Sequence, residues 1–457
     1  MPPAASPGNW TKQIFYSSPE TLSYGMASRL LYNIRQLANI RTESRPLRGR
    51  ELAELPVLND AWLLLEDEHI AAFGPMSELP AHLRLLPGSD AAFDVNGGLV
   101  LPAWVDSHTH LVFAGSRESE FVDKIKGLSY AEINAKGGGI LNSARRLAET
   151  SEDVLFAEAW QRLQELAALG TGAIEIKSGY GLTVEGELKM LRVIKRLRER
   201  SALSIKASFL GAHTYPVAYR DNHQGYIDLI IREMLPVIAA EGLADYIDVF
   251  CEQGFFSPAE TEEIVRAGQR VGLGPKIHAN QLHLSGGVET GVRLGALSVD
   301  HLETMDAGAI ATLAASDTIG TLLPTAAFFL RMPFQPARAL IDAGCRIALA
   351  SDYNPGSSPS GNMNLVIAMA CTGMRMLPEE AINAATINGA YALSLGDELG
   401  SITVGKLANL IITRPVPSLA YLPYAFGTNL IDRVLIRGEF LDAPHRPPAA
   451  ARNAQSS

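Results

Sequence analysis

Between residues 100 and 350 the chain carries eight short apolar runs, separated by longer stretches of helical periodicity, and nothing else in it restricts the fold as strongly. The runs are 100–105, 172–176, 204–210, 246–250, 275–278, 296–300, 318–323 and 346–350. Apolar strands alternating with amphipathic helices, as at 152–169 and 185–200, mean a parallel α/β sheet. Eight such strands predict a closed (β/α)8 TIM barrel, and the roughly 300 residues from 100 to 395 suit one with insertions.

Both flanks read differently. From residue 30 to 102, short apolar runs are broken by turn residues: Ala61-Trp-Leu-Leu-Leu, then polar Glu66-Asp-Glu-His, then Ile70-Ala-Ala-Phe-Gly, the pattern of a hairpin. The same rhythm returns after Gly396 in Ala408-Asn-Leu-Ile-Ile-Thr and Arg433-Val-Leu-Ile-Arg-Gly. The expected organisation is a small β-sandwich domain built from 26–99 and 396–441, with the barrel domain, 100–395, inserted between its halves. Residues 1–25 are rich in Pro, Ser, Thr and Tyr and lack the basic start and apolar segment of a secretory signal, so they read as a flexible extension. The Pro/Ala-rich stretch 442–457 reads as a tail.

Composition removes several classes of function. Of 457 residues, 47% are apolar and 19% charged, enough aliphatic material for a large core, which excludes disorder as the main state. Lys plus Arg number 39 against 49 Asp plus Glu, so 39 − 49 = −10, a balance against nucleic acid or an anionic membrane as partner. A small molecule fits better. Cys251, Cys345 and Cys371 are odd in number and far apart, which suits a reducing cytoplasm and neither a disulfide framework nor a cysteine zinc site. The longest apolar stretches are about half of the ~20 residues that a membrane-spanning helix needs.

The strongest local motif is Asp106-Ser-His108-Thr-His110, directly after the first apolar run. Side chains alternate along an extended strand, so His108 and His110 share one face at the strand's C-terminal end, where barrel enzymes place their chemistry. His213, His278, His301 and Asp352 occupy comparable ends of other strands, so five of the chain's ten histidines gather at one rim. Three imidazoles and one carboxylate suit zinc or ferrous iron, and the lack of thiolates argues for an open catalytic site rather than a closed structural one.

The order H-x-H on strand one, His on strands five and six and Asp on strand eight, with a β-domain built from both termini, resembles the amidohydrolase superfamily. Within it, Phe113-Ala-Gly-Ser-Arg-Glu-Ser-Glu-Phe, Gly137-Gly-Gly-Ile, Glu175-Ile-Lys-Ser-Gly-Tyr-Gly-Leu, Phe209-Leu-Gly-Ala-His and Ser351-Asp-Tyr-Asn-Pro-Gly-Ser-Ser resemble the imidazolonepropionase family of histidine degradation. The likeness runs from about Met26 to Phe440. It implies a metal-dependent hydrolase that opens the ring of 4-imidazolone-5-propanoate at a cyclic amide C–N bond. It also implies one zinc or iron(II) ion per subunit held by His108, His110, His278 and Asp352, and a homodimer. Catalytic duty would fall on His301 and Asp352, either of which could protonate the departing nitrogen. Substrate contacts would fall on Arg117, Tyr180, His213, Gln281, Asn354, Gly356 and Ser357.

Two departures stand out. Where the family usually carries a carboxylate after the strand-five histidine, this chain reads His278-Ala-Asn280-Gln281, which removes a general base from that position. A usual Gly-Lys-x-Ala-Asp has become Gly405-Lys-Leu-Ala-Asn409, away from the site. By composition alone Arg117 is a solvated loop arginine, and Tyr180 in Ser178-Gly-Tyr-Gly is as well explained by packing on the barrel rim. Gly137–Gly139 lack the Lys-Ser/Thr of a phosphate loop and read as a loop over the site. His223 and His283 read as peripheral, and Glu252 and Lys177 as partners of site residues. Lys177 follows strand two, whereas the bridging carboxylated lysine of two-metal amidohydrolases lies on strand four, so one metal is expected. The alternative is a deaminase of the same superfamily, which an arginine clamp for a carboxylate disfavours; a non-enzymatic scaffold would have lost a ligand, and none is lost.

Overall fold

The computed structural model describes residues 28–89, 91–128 and 138–441. The expected extension at 1–25, the tail at 442–457 and Gly137 lie outside the described residues. The chain opens with β1 (Ser28–Ala38), β2 (Val57–Glu66), β3 (His69–Pro75), β4 (Ala92–Asp94) and β5 (Leu99–Pro102). Eight parallel strands follow: β6 (Trp104–Asp106), β7 (Thr171–Lys177), β8 (Ser204–Ala212), β9 (Tyr246–Cys251), β10 (Gly274–Ala279), β11 (Ser298–His301), β12 (Ile319–Leu322) and β13 (Arg346–Leu349). Each is hydrogen-bonded to its predecessor. The first and last meet at the C-terminal mouth, where the Asp352 N–H donates to His108 O at 3.0 Å and the His110 N–H to Tyr353 O at 2.9 Å. The result is the expected TIM-type barrel.

Its crossover helices are set by local signals. In Glu152–Ala168, Ser151 accepts from the Val154 N–H, and Leu155, Ala159, Leu163 and Leu166 form the buried stripe. In Val184–Arg200 the capping oxygen belongs to Thr183. No helix among the described residues is long and apolar enough to cross a membrane.

The expected barrel strands reappear within two residues, except the first. The run 100–105 is two strands: β5 pairs with β1 and with β14 (Leu410–Thr413), whereas β6 pairs with β7. The change falls at Ala103, whose N–H goes to Asn409 O while that of Trp104 goes to Gly170 O, both at 2.9 Å. Both sheets bury apolar side chains here, so hydrophobicity alone carries no mark of the crossing. With β15 (Ile431–Ile436) and β16 (Glu439–Phe440), the strands from the two chain ends form a separate eight-stranded sheet. Ile70 N–H donates to Lys406 O at 2.8 Å and Ala408 N–H to Glu68 O at 2.7 Å, so the β2–β3 hairpin returns to the approach of β14. Leu31, Leu63, Val100, Leu410 and Leu435 of this continuous sheet share one buried core. Asn409 sits at the junction, its Nδ2 donating to Gly172 O and its Oδ1 accepting from the Arg437 N–H. An amide does both, and a carboxylate could not donate.

Candidate metal centre

His108 and His110 follow β6 on an extended segment that Thr109 bridges to Tyr353, so both rings point into the mouth. His278 is the penultimate residue of β10 and His301 the last of β11, while Asp352 follows β13 and His213 follows β8. All six are buried. Asn280, His301, Leu302 and Asp352 have φ of 53°, 89°, 65° and 53°, left-handed conformations that cost energy outside glycine. The chain turns sharply off β10, β11 and β13 exactly where their side chains gather.

Potential ligand atoms form two overlapping triads, His108, His110 and Asp352, and His108, His278 and His301, each with its atoms within 4.8 Å of one another. The Nε2 atoms of His108 and His110 lie 3.6 and 3.5 Å from Asp352 Oδ1. His108 Nδ1 is 2.7 Å from Asp300 Oδ2, and His278 Nδ1 is 3.1 Å from Asp248 Oδ1. Each Nδ1–H donates to its carboxylate, which leaves the lone pair on Nε2, as carboxylates behind metal-binding histidines do. The Nε2 atoms of His108 and His278, and Nδ1 of His110, are buried and have no partner among the described residues. Such orphaned nitrogens fit a cation. Burial first, then the nearby Lys177 ammonium, hold His108 far below its ordinary pKa, and burial lowers His278 as well, which favours the neutral form of both rings. Burial alone would raise Asp352, but the His110 contact and the surrounding imidazoles outweigh it and keep the carboxylate ionised. For His301, burial lowers and Glu303, at 3.4 Å, raises; the second wins.

A family model described as "Amidohydrolase family" matches residues 256–441. Imidazolonepropionase from Flavobacterium johnsoniae is 56% identical over 413 residues, covering 90% of this chain and 99% of that protein. The one from Christiangramia forsetii is 52% identical over the same shares, and that from a Geobacillus strain 40% identical over 90% and 97%. The chain belongs to the imidazolonepropionase family. It is therefore a hydrolase of the amidohydrolase type, whose family implies a divalent metal. Two solved structures share the fold: a triazine hydrolase variant (17% identity, TM-score 0.69, 93% of this chain and 96% of that one) and guanine deaminase from E. coli (13%, 0.67, 91% and 99%).

The substrate-contact residues expected of an imidazolonepropionase fall in four places. Tyr180 and His213 flank the centre: His213 stacks on His110 at 5.3 Å between ring centroids, and Tyr180 lies 5.9 Å from His110 and 5.5 Å from His213. Burial pushes the Tyr180 phenol up, and the charges of Arg117 and Asp352 both reach it. Asn354, Gly356 and Ser357 form a turn beside Asp352: Asn354 Oδ1 accepts from the Gly356 and Ser357 N–H groups at 2.8 Å, and the Ser357 hydroxyl donates to Asp352 Oδ2 at 3.0 Å. Asn354 spends its amide on its own loop. Arg117 is not a solvated arginine: it lines a cavity of about 360 Å³ with Phe113, Lys124, Tyr353 and Gly356, and its Nε and one terminal nitrogen grip Glu120 Oε2 at 2.9 and 2.6 Å. Gln281 is buried in the turn after β10. Asn280 accepts the Ser285 hydroxyl on its Oδ1 at 3.0 Å and turns its Nδ2 to Met305 Sδ. His223 stacks on Tyr215 and His283 pairs with Glu252, both half-exposed.

Sequence reasoning missed the acids behind the histidines, Asp248, Asp300 and Glu303, and also Glu187. The fully buried Glu187 carboxylate accepts the N–H groups of Gly179, Gly181 and Leu182 at 3.0, 2.7 and 3.0 Å, which fixes the turn that carries Tyr180. Glu187→Gln, whose amide offers one acceptor in place of two, should destabilise the protein by about 2–3 kcal/mol, read from its urea midpoint.

Proposed function

We propose that the chain hydrolyses 4-imidazolone-5-propanoate to N-formimino-L-glutamate, with a zinc or iron(II) ion, one per subunit, held by His108, His110, His278 and Asp352. The observation that carries this is the set of buried, unpartnered imidazole nitrogens beside an ionised Asp352, each ring anchored by an acid from behind where its Nδ1 is bound. A divalent ion in that setting supplies Lewis acidity, which makes water acidic enough to attack at neutral pH. The chain's own groups do the rest. Asp352 accepts the proton of the attacking water as its oxygen adds to the ring carbonyl carbon. His301, kept protonated by Glu303, donates to the carbonyl oxygen as negative charge develops there. The C–N bond then breaks, and Asp352 or His301 returns a proton to the ring nitrogen. Arg117 binds the propanoate carboxylate, with Tyr180, His213, Gln281, Asn354, Gly356 and Ser357 shaping the rest of the pocket.

The three free cysteines support a cytoplasmic location, and by resemblance to the family the chain works as a homodimer, which light scattering on the purified protein checks. The deciding assay incubates purified protein with freshly prepared imidazolone propanoate and, separately, with cytosine and guanine. Turnover of the first alone is expected; turnover of a nucleobase would replace this reading with a deaminase. A strong chelator should abolish activity, zinc or iron(II) should restore it, and metal analysis should give about one equivalent per chain.

Arg117→Ala should lower kcat/KM about 10- to 100-fold with metal content unchanged, because charge-assisted hydrogen bonds are worth about 1.5–3 kcal/mol. Arg117→Lys keeps the charge but not the fork, and should fall between the two. A substrate analogue with the carboxylate converted to an amide should be poor for wild type and little worse for the Ala variant. Equal losses on acid and amide would remove Arg117 from carboxylate binding.

A further inference from the structure

Below the histidines, the barrel strands carry the fully buried charged residues Glu175 and Lys177 of β7, Asp248 of β9, Lys276 of β10 and Asp300 of β11. Glu175 and Lys177 are two apart on one strand, as are Lys276 and His278 on another, so each pair points inward together. The Lys177 ammonium donates to Glu175 Oε1 at 2.5 Å and Asp248 Oδ2 at 2.8 Å, and lies 3.7 Å from Asp300 Oδ2. Asp248 spends its other oxygen on His278 Nδ1, and Asp300 takes His108 Nδ1 on the same oxygen that faces Lys177. Lys276 holds the second oxygen of Glu175 and donates to Ser107 O at 2.9 Å, the carbonyl just before His108.

We propose that Lys177 is the positioning residue of the metal centre: by binding Asp248 and facing Asp300 it holds both carboxylates against the rings of His278 and His108. A salt network that only stapled strands together would have no reason to end on two Nδ1 atoms. Lys177 meets these acids on the Nδ1 side of the rings, away from the unpartnered Nε2 atoms, so it acts through the histidines and is not itself a ligand. Removing it leaves three buried carboxylates with one ammonium, and Asp248 and Asp300, no longer separated by a cation, are pushed out of line. The rings they orient turn with them.

This inference rests on the metal-centre part of the function proposed above and is independent of the substrate. Lys177→Met keeps the length and removes the charge. It should weaken zinc binding about 10- to 100-fold in chelator competition, the usual cost of losing an outer-shell partner, and should alter the visible spectrum of the cobalt(II)-loaded protein. Because that variant unbalances the network and could fail to fold, a second combines Lys177→Met with Glu175→Gln, removing one charge of each sign, and should show the same two changes. Glu175→Gln alone, which leaves Lys177 on Asp248, should bind zinc much as wild type does. Folded Lys177 variants with wild-type zinc affinity and an unchanged cobalt spectrum would overturn the proposal, and so would failure of both to fold, which would make Lys177 a determinant of the fold. Wild-type protein that takes up no zinc or cobalt would overturn the centre itself, a failure distinct from that of Lys177.

Discussion

An Asp352→Asn enzyme should turn over about 10³-fold more slowly while keeping part of its metal, because general-base help is worth about 10²–10⁴ and the amide can still offer an oxygen as ligand. What it cannot do is take the water's proton. Asp352 is proposed both to ligate and to take the proton, and its two oxygens have different neighbours: Oδ1 faces the Nε2 atoms of His108 and His110, and Oδ2 accepts the Ser357 hydroxyl. The amide nitrogen of Asn must displace one of these, and whichever oxygen remains is neutral. Turnover and metal content measured on the same preparation separate the two tasks. Near-normal turnover would take Asp352 out of the proton path.

His108→Ala should lose the metal almost entirely, and turnover with it by at least about 10⁴-fold, since the several kcal/mol of charge stabilisation supplied by the ion would go. His108 is common to both candidate triads, so its loss leaves neither of them complete. Loss of the ring also takes the His108 hydrogen bond from the fully buried Asp300 carboxylate and leaves it facing Lys177 at 3.7 Å, which should cost about 2–4 kcal/mol of stability in the metal-free protein. His301→Asn provides the contrast. If His301 polarises the carbonyl rather than ligating, this variant keeps its metal and loses turnover, and metal analysis of the two side by side tells the roles apart.

The barrel and the outline of its site were legible because both rest on local rules. A strand of apolar residues ending in a polar cluster is visible in one short window, and the i, i+2 spacing puts His108 and His110 on one face whatever surrounds them. The location of chemistry at the C-terminal ends of barrel strands then gathers His213, His278, His301 and Asp352 without any knowledge of contacts. The pattern of short strands at both ends likewise predicted a separate sheet, and the quoted strings pointed to the family.

What stayed hidden depends on residues far apart in sequence. Asp248 and Asp300 sit inside apolar runs, where a lone acid looks like an exception; their meaning appears only when β9, β10 and β11 bring them to the Nδ1 atoms of His278 and His108. The exchange of sheets at Ala103 was invisible for the opposite reason, that both sheets offer an equally apolar environment. Arg117 reads as a surface residue until Glu120, one helical turn on, and the Gly356 loop close a cavity around it. The left-handed backbone of Leu302, directly after His301, is imposed from outside, since no local preference of Leu favours it. Periodicity and residue type thus determined the strands and the rim of this protein, and gathered the candidate donors there. The protonation, aim and spacing of those donors were decided only in three dimensions, because electrostatic and hydrogen-bond partners are chosen by distance through space and not along the chain.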